Sequence, residues 1–187
     1  MKNLDPQTLD SLLLRVKKKD QNAFRELCLA YNTIIYRFVA IRLKDDATSE
    51  EVVSDVLFQV WEHPERFDHS CQFSTWLLSI ARHKLIDRQR AAKPQAEDIE
   101  DFSEVLEGNL LDGFETLDRK QTAEVLRGCV DKLSADHRIA VHLVFYEGMT
   151  LVEAAVAENI AEGTMKTRLF HARQRLKACA QVRLGAR

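Results

Sequence analysis

Residues 150–177 constrain the fold of this chain more than any other stretch, because they predict two helices joined by a tight turn. Thr150 and Glu153 have the spacing of a capping box, which opens the first helix. Asn159 tolerates the left-handed backbone of a helix end, and Gly163 is typical of the start of the next helix. The residues expected to face inward from the first helix are Leu151, Ala154, Ala155 and Glu158. The pattern is typical of a helix-turn-helix, a unit that binds duplex DNA.

The second of these helices combines a narrow apolar face with a polar and strongly basic surface. At about 100° per residue, Met165, Leu169, Ala172 and Leu176 fall on one side and should pack inward. No acidic residue follows Glu162. The candidates for contact with DNA are Thr164, Lys166, Thr167, Arg168, Phe170, His171, Arg173, Gln174 and Arg175. An ordinary solvated amphipathic helix would explain surface Lys and Arg equally well. This helix alone therefore does not establish DNA binding.

The helical geometry also assigns different tasks to these candidates. Thr167, His171 and Gln174 lie opposite the inward face, so we expect them to face the groove and contact bases. The cations on the two flanks, which we expect to contact phosphates, are Lys166 and Arg173 on one side and Arg168 and Arg175 on the other.

Charge is distributed very unevenly along the chain. The formal net charge is only −2, but residues 92–118 hold nine acids against Lys93 alone, a net charge of −8 for that segment. Residues 163–187 hold seven basic residues and no acid. Such blocks predict an acidic, extended segment between two folded parts, one of which is basic enough to bind nucleic acid.

The four cysteines stand far apart and have no CxxC or zinc-finger spacing. Cys28, Cys71, Cys129 and Cys179 are therefore predicted to be small buried side chains in a reducing cytosol. His69 lies close to Cys71, which leaves a metal or redox role conceivable. Because no further ligand stands at a matching spacing, we predict no metal and no cofactor.

Other motifs that would indicate an enzyme or a membrane protein are missing from the sequence. It contains no phosphate-binding glycine loop and no nucleophile motif, so an enzyme is not expected. It has no signal-peptide pattern and no apolar run near the roughly 18 residues of a membrane span. We therefore expect a soluble cytoplasmic protein with no direct membrane insertion.

The fold class follows from periodicity. The 187 residues contain only three prolines and six glycines, and no stretch alternates as a strand would, so the chain is predicted to be all-α. Apolar spacing predicts helices within residues 9–16, 24–38, 49–61 and 74–90, with Pro64 as a stop after the third. A second helical group begins near Asp118 and leads into the helix-turn-helix.

Three strings in the chain resemble parts of extracytoplasmic-function (ECF) sigma factors. FSTWLLSIARHKLIDRQR, residues 73–90, is similar to the segment of that family that contacts the minus-10 promoter element. SEEVVSDVLFQVW, residues 49–61, is similar to the helix that docks on the polymerase clamp, and residues 133–177 to the minus-35 reading domain. The resemblance covers nearly the whole chain in the family's order. It implies sigma domain 2 at residues 1–92, a flexible acidic linker at residues 93–118 and sigma domain 4 at residues 119–187.

The resemblance also implies partners and site residues. The partners are the clamp and flap surfaces of core RNA polymerase, promoter DNA and an anti-sigma factor. The residues for binding the polymerase are Glu51, Asp55 and Gln59. Those for minus-10 DNA are Arg82, His83, Lys84, Asp87, Arg88 and Arg90. Many family members have Asn where this chain has His83, so the specificity for the flipped base does not carry over.

Some alternatives stay open at this point. Phe73 and Trp76 lie near the expected strand-opening site, but their helical spacing assigns them to packing rather than to base stacking. The acidic linker either enters the nucleic-acid channels of the polymerase, as family linkers do, or is a spacer extended by self-repulsion. The alternative function is that of a conventional helix-turn-helix regulator that acts without being a polymerase subunit.

Overall fold

The computed structural model describes residues 4–43, 45–92 and 119–185, and no strand occurs among them. The helices are α1 (Pro6–Lys17), α2 (Gln21–Leu43), α3 (Asp46–Glu62), α4 (Phe73–Ala92), α5 (Arg119–Val130), α6 (Ala135–Val141), α7 (Leu151–Glu158) and α8 (Glu162–Gly185). A 3-10 turn follows α3 at Pro64–Arg66, and a π turn follows α6 at His142–Tyr146. The prediction of an all-α fold is confirmed. The linker predicted at residues 93–118 lies outside the described residues.

The described helices belong to two compact units, Met1–Asp98 with Val152–Asn159 and Ile99–Leu151 with Ile160–Arg187. In the first unit, α2 packs against α1, α3 and α4, and α3 packs against α4. The largest fully buried apolar side chains of this unit are Val16, Leu27, Ile35, Phe38, Val39, Leu77, Leu78 and Leu85. The apolar faces predicted from helical spacing therefore form this core. Trp76, which was expected to be buried, is only half-buried.

Aspartate caps fix where the first three helices begin. The Asp5 carboxylate accepts a hydrogen bond from the Thr8 backbone N–H, and Asp20 accepts from two backbone N–H groups at the start of α2. Asp45 does the same for Thr48, at 2.8 Å. Because Asp45 caps α3, the helix begins three residues before the predicted start at residue 49. The predicted stop at Pro64 is confirmed by the 3-10 turn.

In the second unit, α8 packs against α5 and α6. Met165, Leu169 and Ala172 are buried, which confirms the predicted inward face of α8, whereas Leu176 is only half-buried. The helix begins at Glu162, one residue before the predicted Gly163. Packing of three inward residues against neighbouring helices fixes the rotation of α8 about its own axis.

A disulfide joins Cys129 of α5 to Cys179 of α8, with 5.9 Å between their Cα atoms. The prediction of four separate buried cysteines was therefore wrong for this pair, because a separation of 50 residues gives no hint that two helices meet there. Cys28 and Cys71 are free and half-buried. Beside the disulfide, the Arg183 side chain of α8 lies over Gly128 of α5, since a Cβ on Gly128 would lie 2.5 Å from Arg183 Nη1.

The turn predicted at Asn159 is confirmed. Asn159 has a φ of 50°, the left-handed conformation in which Asn is tolerated, and its N–H donates to the Val156 carbonyl. Ala154, Ala155 and Glu158 of α7 are buried as expected. Within the first unit, the buried Glu158 carboxylate pairs with Arg42 of α2, which compensates for the burial of its charge.

Candidate nucleic-acid and polymerase interfaces

The helix α4 combines a buried apolar face with a basic second half that has solvent access. Leu77, Ala81 and Leu85 are buried on one side. The predicted minus-10 contacts all have solvent access: His83, Asp87 and Arg90 are exposed, and Arg82, Lys84 and Arg88 are half-buried. The helix therefore presents a polar surface with four cations and one acid, which suits an anionic ligand.

His83 is held in one orientation by its own helix. Its Nδ1 lies 2.7 Å from the backbone oxygen of Ser79, one turn earlier. A carbonyl oxygen can only accept a hydrogen bond, so Nδ1 carries the proton of this bond. In the neutral ring, Nε2 is then an acceptor on an exposed side chain, and in the charged ring it is a donor. This geometry allows His83 to form a directed hydrogen bond with a base.

An aromatic cluster includes the first turn of α4, which precedes the predicted minus-10 contacts. The ring centroids of Phe67 and Phe73 are 5.0 Å apart, and each lies 5.5 Å from the ring of Trp76. Phe73 also meets Tyr31 edge to face, at 5.0 Å. Phe67 and Phe73 are buried, so packing is their observed role, as predicted for Phe73.

The predicted docking face of α3 is acidic and includes an exposed aromatic residue. Glu51 and Asp55 are exposed and Gln59 is half-buried, and the spacing of four residues places them on one face. Phe58, three residues after Asp55, is 62% exposed. Sequence reasoning did not single out Phe58, although an aromatic residue outside the apolar face of a helix was the available signal. Together these four side chains form a surface with acids and a large apolar contact.

The docking face and the minus-10 face meet at one ion pair. Arg88 Nη2 of α4 lies 2.9 Å from Glu51 Oε2 of α3. Both side chains are partly exposed, so the pair adds little to stability. It does show that a residue expected to contact DNA and one expected to contact the polymerase lie side by side.

The flanks of α8 are held by neighbouring groups. Lys166 Nζ lies 3.1 Å from Glu162 Oε1 one turn earlier, and Arg168 Nη2 lies 2.8 Å from Asp136 Oδ2 of α6. The guanidinium of Arg173 stacks 5.4 Å from the ring centroid of Phe145. Burial lowers the pKa of Arg173 from its ordinary value. Arg175, Gln174 and Thr164 are exposed.

The outer face of α8 is only partly exposed. Thr167 Oγ1 donates to the Gly163 carbonyl, which fixes its hydroxyl close to the helix. The Phe170 and His171 rings meet edge to face at 5.5 Å, and both side chains are half-buried. His171 also lies near His137 of α6, with 6.2 Å between the ring centroids. The predicted groove-facing residues thus include two, Thr167 and His171, whose surroundings restrict their positions.

Two residues of α6 beside this face, Asp136 and His137, were not predicted as site residues. The pKa of His137 is lowered, first by burial and then by the positive charges of Arg175 and His171. No signal in the sequence points to them, because they are more than thirty positions away from the α8 residues that they contact. Within the described part of the chain, no group of three His, Cys, Asp or Glu side chains is arranged to hold a metal ion. No described helix has the length and apolarity needed to cross a membrane.

Two family models match successive parts of the chain. The model described as Sigma-70 region 2 matches residues 27–95, which contain α3 and α4. The model described as Sigma-70, region 4 matches residues 114–176, which contain α6, α7 and the first part of α8. Each candidate surface therefore falls within a matched region.

Relatives with known assignments cover nearly the whole chain. It is 30% identical over 185 residues to the ECF RNA polymerase sigma factor SigK of Mycobacterium tuberculosis, which covers 93% of this chain and 94% of SigK. It is 33% identical over 161 residues to SigL of the same species, covering 84% of this chain and 88% of SigL.

A solved structure agrees with these relatives. The sigma factor RpoE from Bartonella quintana, in complex with the anti-sigma factor NepR, superposes with a TM-score of 0.57 at 26% identity. The match covers 85% of this chain and 97% of RpoE. On these grounds the chain belongs to the ECF RNA polymerase sigma factors of the sigma-70 family.

Proposed function

We propose that this sigma factor docks on the clamp of core RNA polymerase through α3, opens promoter DNA at the minus-10 element with α4 and reads minus-35 DNA with α8. As an ECF sigma factor it directs promoter-specific transcription initiation. The main support for the residue assignment is that the α3 and α4 faces are adjacent where Glu51 pairs with Arg88. A protein that brings the polymerase to a melted strand requires its polymerase contact and its DNA contact to lie close together.

The two promoter contacts differ in chemistry. In α4, an exposed His83 among cations suits an unstacked base, since a base turned out of the stack is read by hydrogen bonds while the backbone is held by charge. In α8, Thr167, His171 and Gln174 suit the edges of base pairs in a major groove. Sigma domain 2 at residues 1–92 and sigma domain 4 at residues 119–187 are the proposed divisions.

The remaining proposals concern partners and location. The protein acts in the cytoplasm as a non-enzymatic subunit of the polymerase, with the flap as a second docking surface. RpoE from Bartonella quintana binds an anti-sigma factor, and we include such a factor among the partners of this chain. The acidic linker, in either of its two predicted roles, stays a prediction.

Transcription with purified core polymerase tests the docking assignment. Adding the protein to core on a library of genomic fragments should give discrete promoter-dependent transcripts. Asp55→Arg should weaken binding to core by roughly tenfold or more, because placing a like charge against a complementary surface costs several kcal/mol. Glu50→Arg is the matched control, since Glu50 is exposed on the same helix but lies about 140° around it from Asp55.

The same system tests the minus-10 assignment. His83→Ala should lower open-complex formation and leave binding to core and to minus-35 duplex unchanged. Arg90→Ala should instead weaken many promoters alike, as the loss of a phosphate contact does. Equal losses for His83→Ala in all three assays would indicate a folding defect, and unchanged core binding by Asp55→Arg would remove Asp55 from the interface.

A further inference from the structure

The ion pair between Arg168 and Asp136 is unlike the other contacts of cations on α8. Arg168 is a residue of the recognition helix, whereas Asp136 lies in the first turn of α6, and their Nη2 and Oδ2 atoms are 2.8 Å apart. The Arg168 side chain is only 23% exposed, although that of Asp136 is 54% exposed. By contrast, Lys166 and its partner Glu162 are both about half exposed and lie on one helix.

A cation that is free to move and a cation that is held in place are expected to contact DNA differently. A flexible cation on the flank of a recognition helix binds whichever phosphate it reaches, so it raises the affinity for every sequence and steepens the dependence on salt. A guanidinium that is largely covered and bound to a carboxylate of another helix is held in one place. Because the Arg168 guanidinium is largely covered, salt screens its pairing with Asp136 less than it screens a fully exposed pair.

Helix α6 restrains the reading face at a second point. His137, the neighbour of Asp136, lies 6.2 Å from His171 between ring centroids. Packing of α6 against α8 therefore brings two consecutive α6 residues to two recognition-helix residues, Arg168 and His171, that lie on adjacent turns. Such support from neighbouring groups is what fixes a recognition residue in one geometry.

We propose that Asp136 is a specificity-determining positioning residue: it holds Arg168 at α6, away from sequence-independent phosphate contact, and so sets the ratio of minus-35 binding to non-specific binding. This rests on the proposed minus-35 contact by α8. It differs from the expectation drawn from the sequence, in which Arg168 was a phosphate contact on the flank of the helix.

The test uses the full-length protein and two DNA duplexes. One carries the minus-35 element obtained by selecting randomised duplexes with the parent protein, and the other has the same composition in scrambled order. Affinities for both are measured over a series of salt concentrations. Asp136→Ala should bind the scrambled duplex about 3 to 10 times more tightly at low salt, with a salt slope steeper by about one unit for the new phosphate contact. The preference for the selected duplex should fall by a similar factor.

Arg168→Ala and the double variant separate this mechanism from a simple change of charge. Under the proposal, Arg168→Ala leaves the salt slope nearly unchanged. Adding Asp136→Ala to Arg168→Ala then does not make the slope steeper. Glu162→Gln is the matched control, because it also removes an acid from the first turn of a helix and from an ion pair with an α8 cation. It should change affinity for both duplexes alike and preserve the preference.

Asp136→Asn guards against loss of folding, since it keeps the size of the side chain and an acceptor for Arg168. It should give an intermediate loss of preference. Unchanged slope and preference in Asp136→Ala, or a slope lowered by about one unit in Arg168→Ala, would overturn the proposal. Failure of the parent protein to select any duplex would instead contradict the minus-35 assignment itself.

Discussion

The two units of this sigma factor hold their helices together by different means. In the first unit, α2 contributes several large buried side chains, among them Leu27, Ile35 and Phe38, and three helices begin with an aspartate cap. In the second unit, α6 has only seven residues, and the Cys129–Cys179 disulfide ties α5 to α8. A small helical domain buries less apolar surface, so a covalent link compensates for a limited core.

The difference extends to the surfaces. In the second unit, Arg168 is bound by Asp136 of α6 and Arg173 stacks on Phe145 of the π turn. In the first unit, His83 is held by a hydrogen bond within its own helix. These two arginines of the recognition helix are thus positioned by other elements, which suits a duplex of fixed shape. A hydrogen bond within α4 sets the orientation of His83, and this suits contact with a strand that is itself unstacked.

The largest effect should come from reducing the disulfide. In the chain-entropy model, a loop closed over a separation of 50 residues contributes about 4 kcal/mol to the free energy of unfolding. Treatment with dithiothreitol, or Cys129→Ser, should therefore destabilise the second unit by up to about this amount. Urea unfolding followed by far-UV circular dichroism measures it.

Tryptophan fluorescence supplies the control for this experiment. Both tryptophans of the chain, Trp61 and Trp76, belong to the first unit. Their unfolding transition should be unchanged by reduction, and Cys71→Ser should change neither transition much. A shift of the tryptophan transition equal to that of the second unit would show that the two units unfold together, and the comparison would then fail.

A smaller effect is expected from removing a cap of the first unit. Asp45→Ala should lower its stability by about 1 kcal/mol, because the Thr48 N–H loses its side-chain acceptor. The matched change in the second unit is Ser134→Ala, whose hydrogen bond to the His137 N–H is longer, at 3.4 Å, and should cost less. Tryptophan fluorescence reports the first change and circular dichroism the second. An equal or larger loss for Ser134→Ala would show that cap geometry does not explain the difference.

Periodicity predicted the helices and most of their inward faces, because amphipathic spacing is a local property of the sequence. It placed Met165, Leu169 and Ala172 correctly, and Asn159 marked the turn through its own backbone preference. The start of α3 was wrong by three residues, since the apolar pattern does not show the cap at Asp45.

What the sequence did not predict depends on contacts between distant positions. The Cys129–Cys179 pair and the contact of Asp136 with Arg168 each join two helices of the second unit. Spacing along the chain carries no information about which helices pack together, so neither pair stood out. Phe58 differs from these cases, because its place outside the apolar face of α3 could have been noticed from the sequence.

The smallest expected effect is a pH dependence confined to the second unit. Burial, followed by the charges of Arg175 and His171, lowers the pKa of His137 below its unfolded value of about 6.5, while Asp136 opposes the shift. Above that pH the ring is neutral in both states and contributes nothing. As the pH falls through 6.5, the unfolded state binds the proton more readily than the folded state, so the second unit loses stability.

His137→Gln should reduce this loss between pH 8 and pH 5.5, and Asp136→Asn should increase it. His63→Gln in the first unit is the control and should leave the slope of the second unit unchanged. Urea unfolding by circular dichroism across this pH range decides the matter: an identical loss in the parent and in His137→Gln would assign the acid sensitivity to other groups.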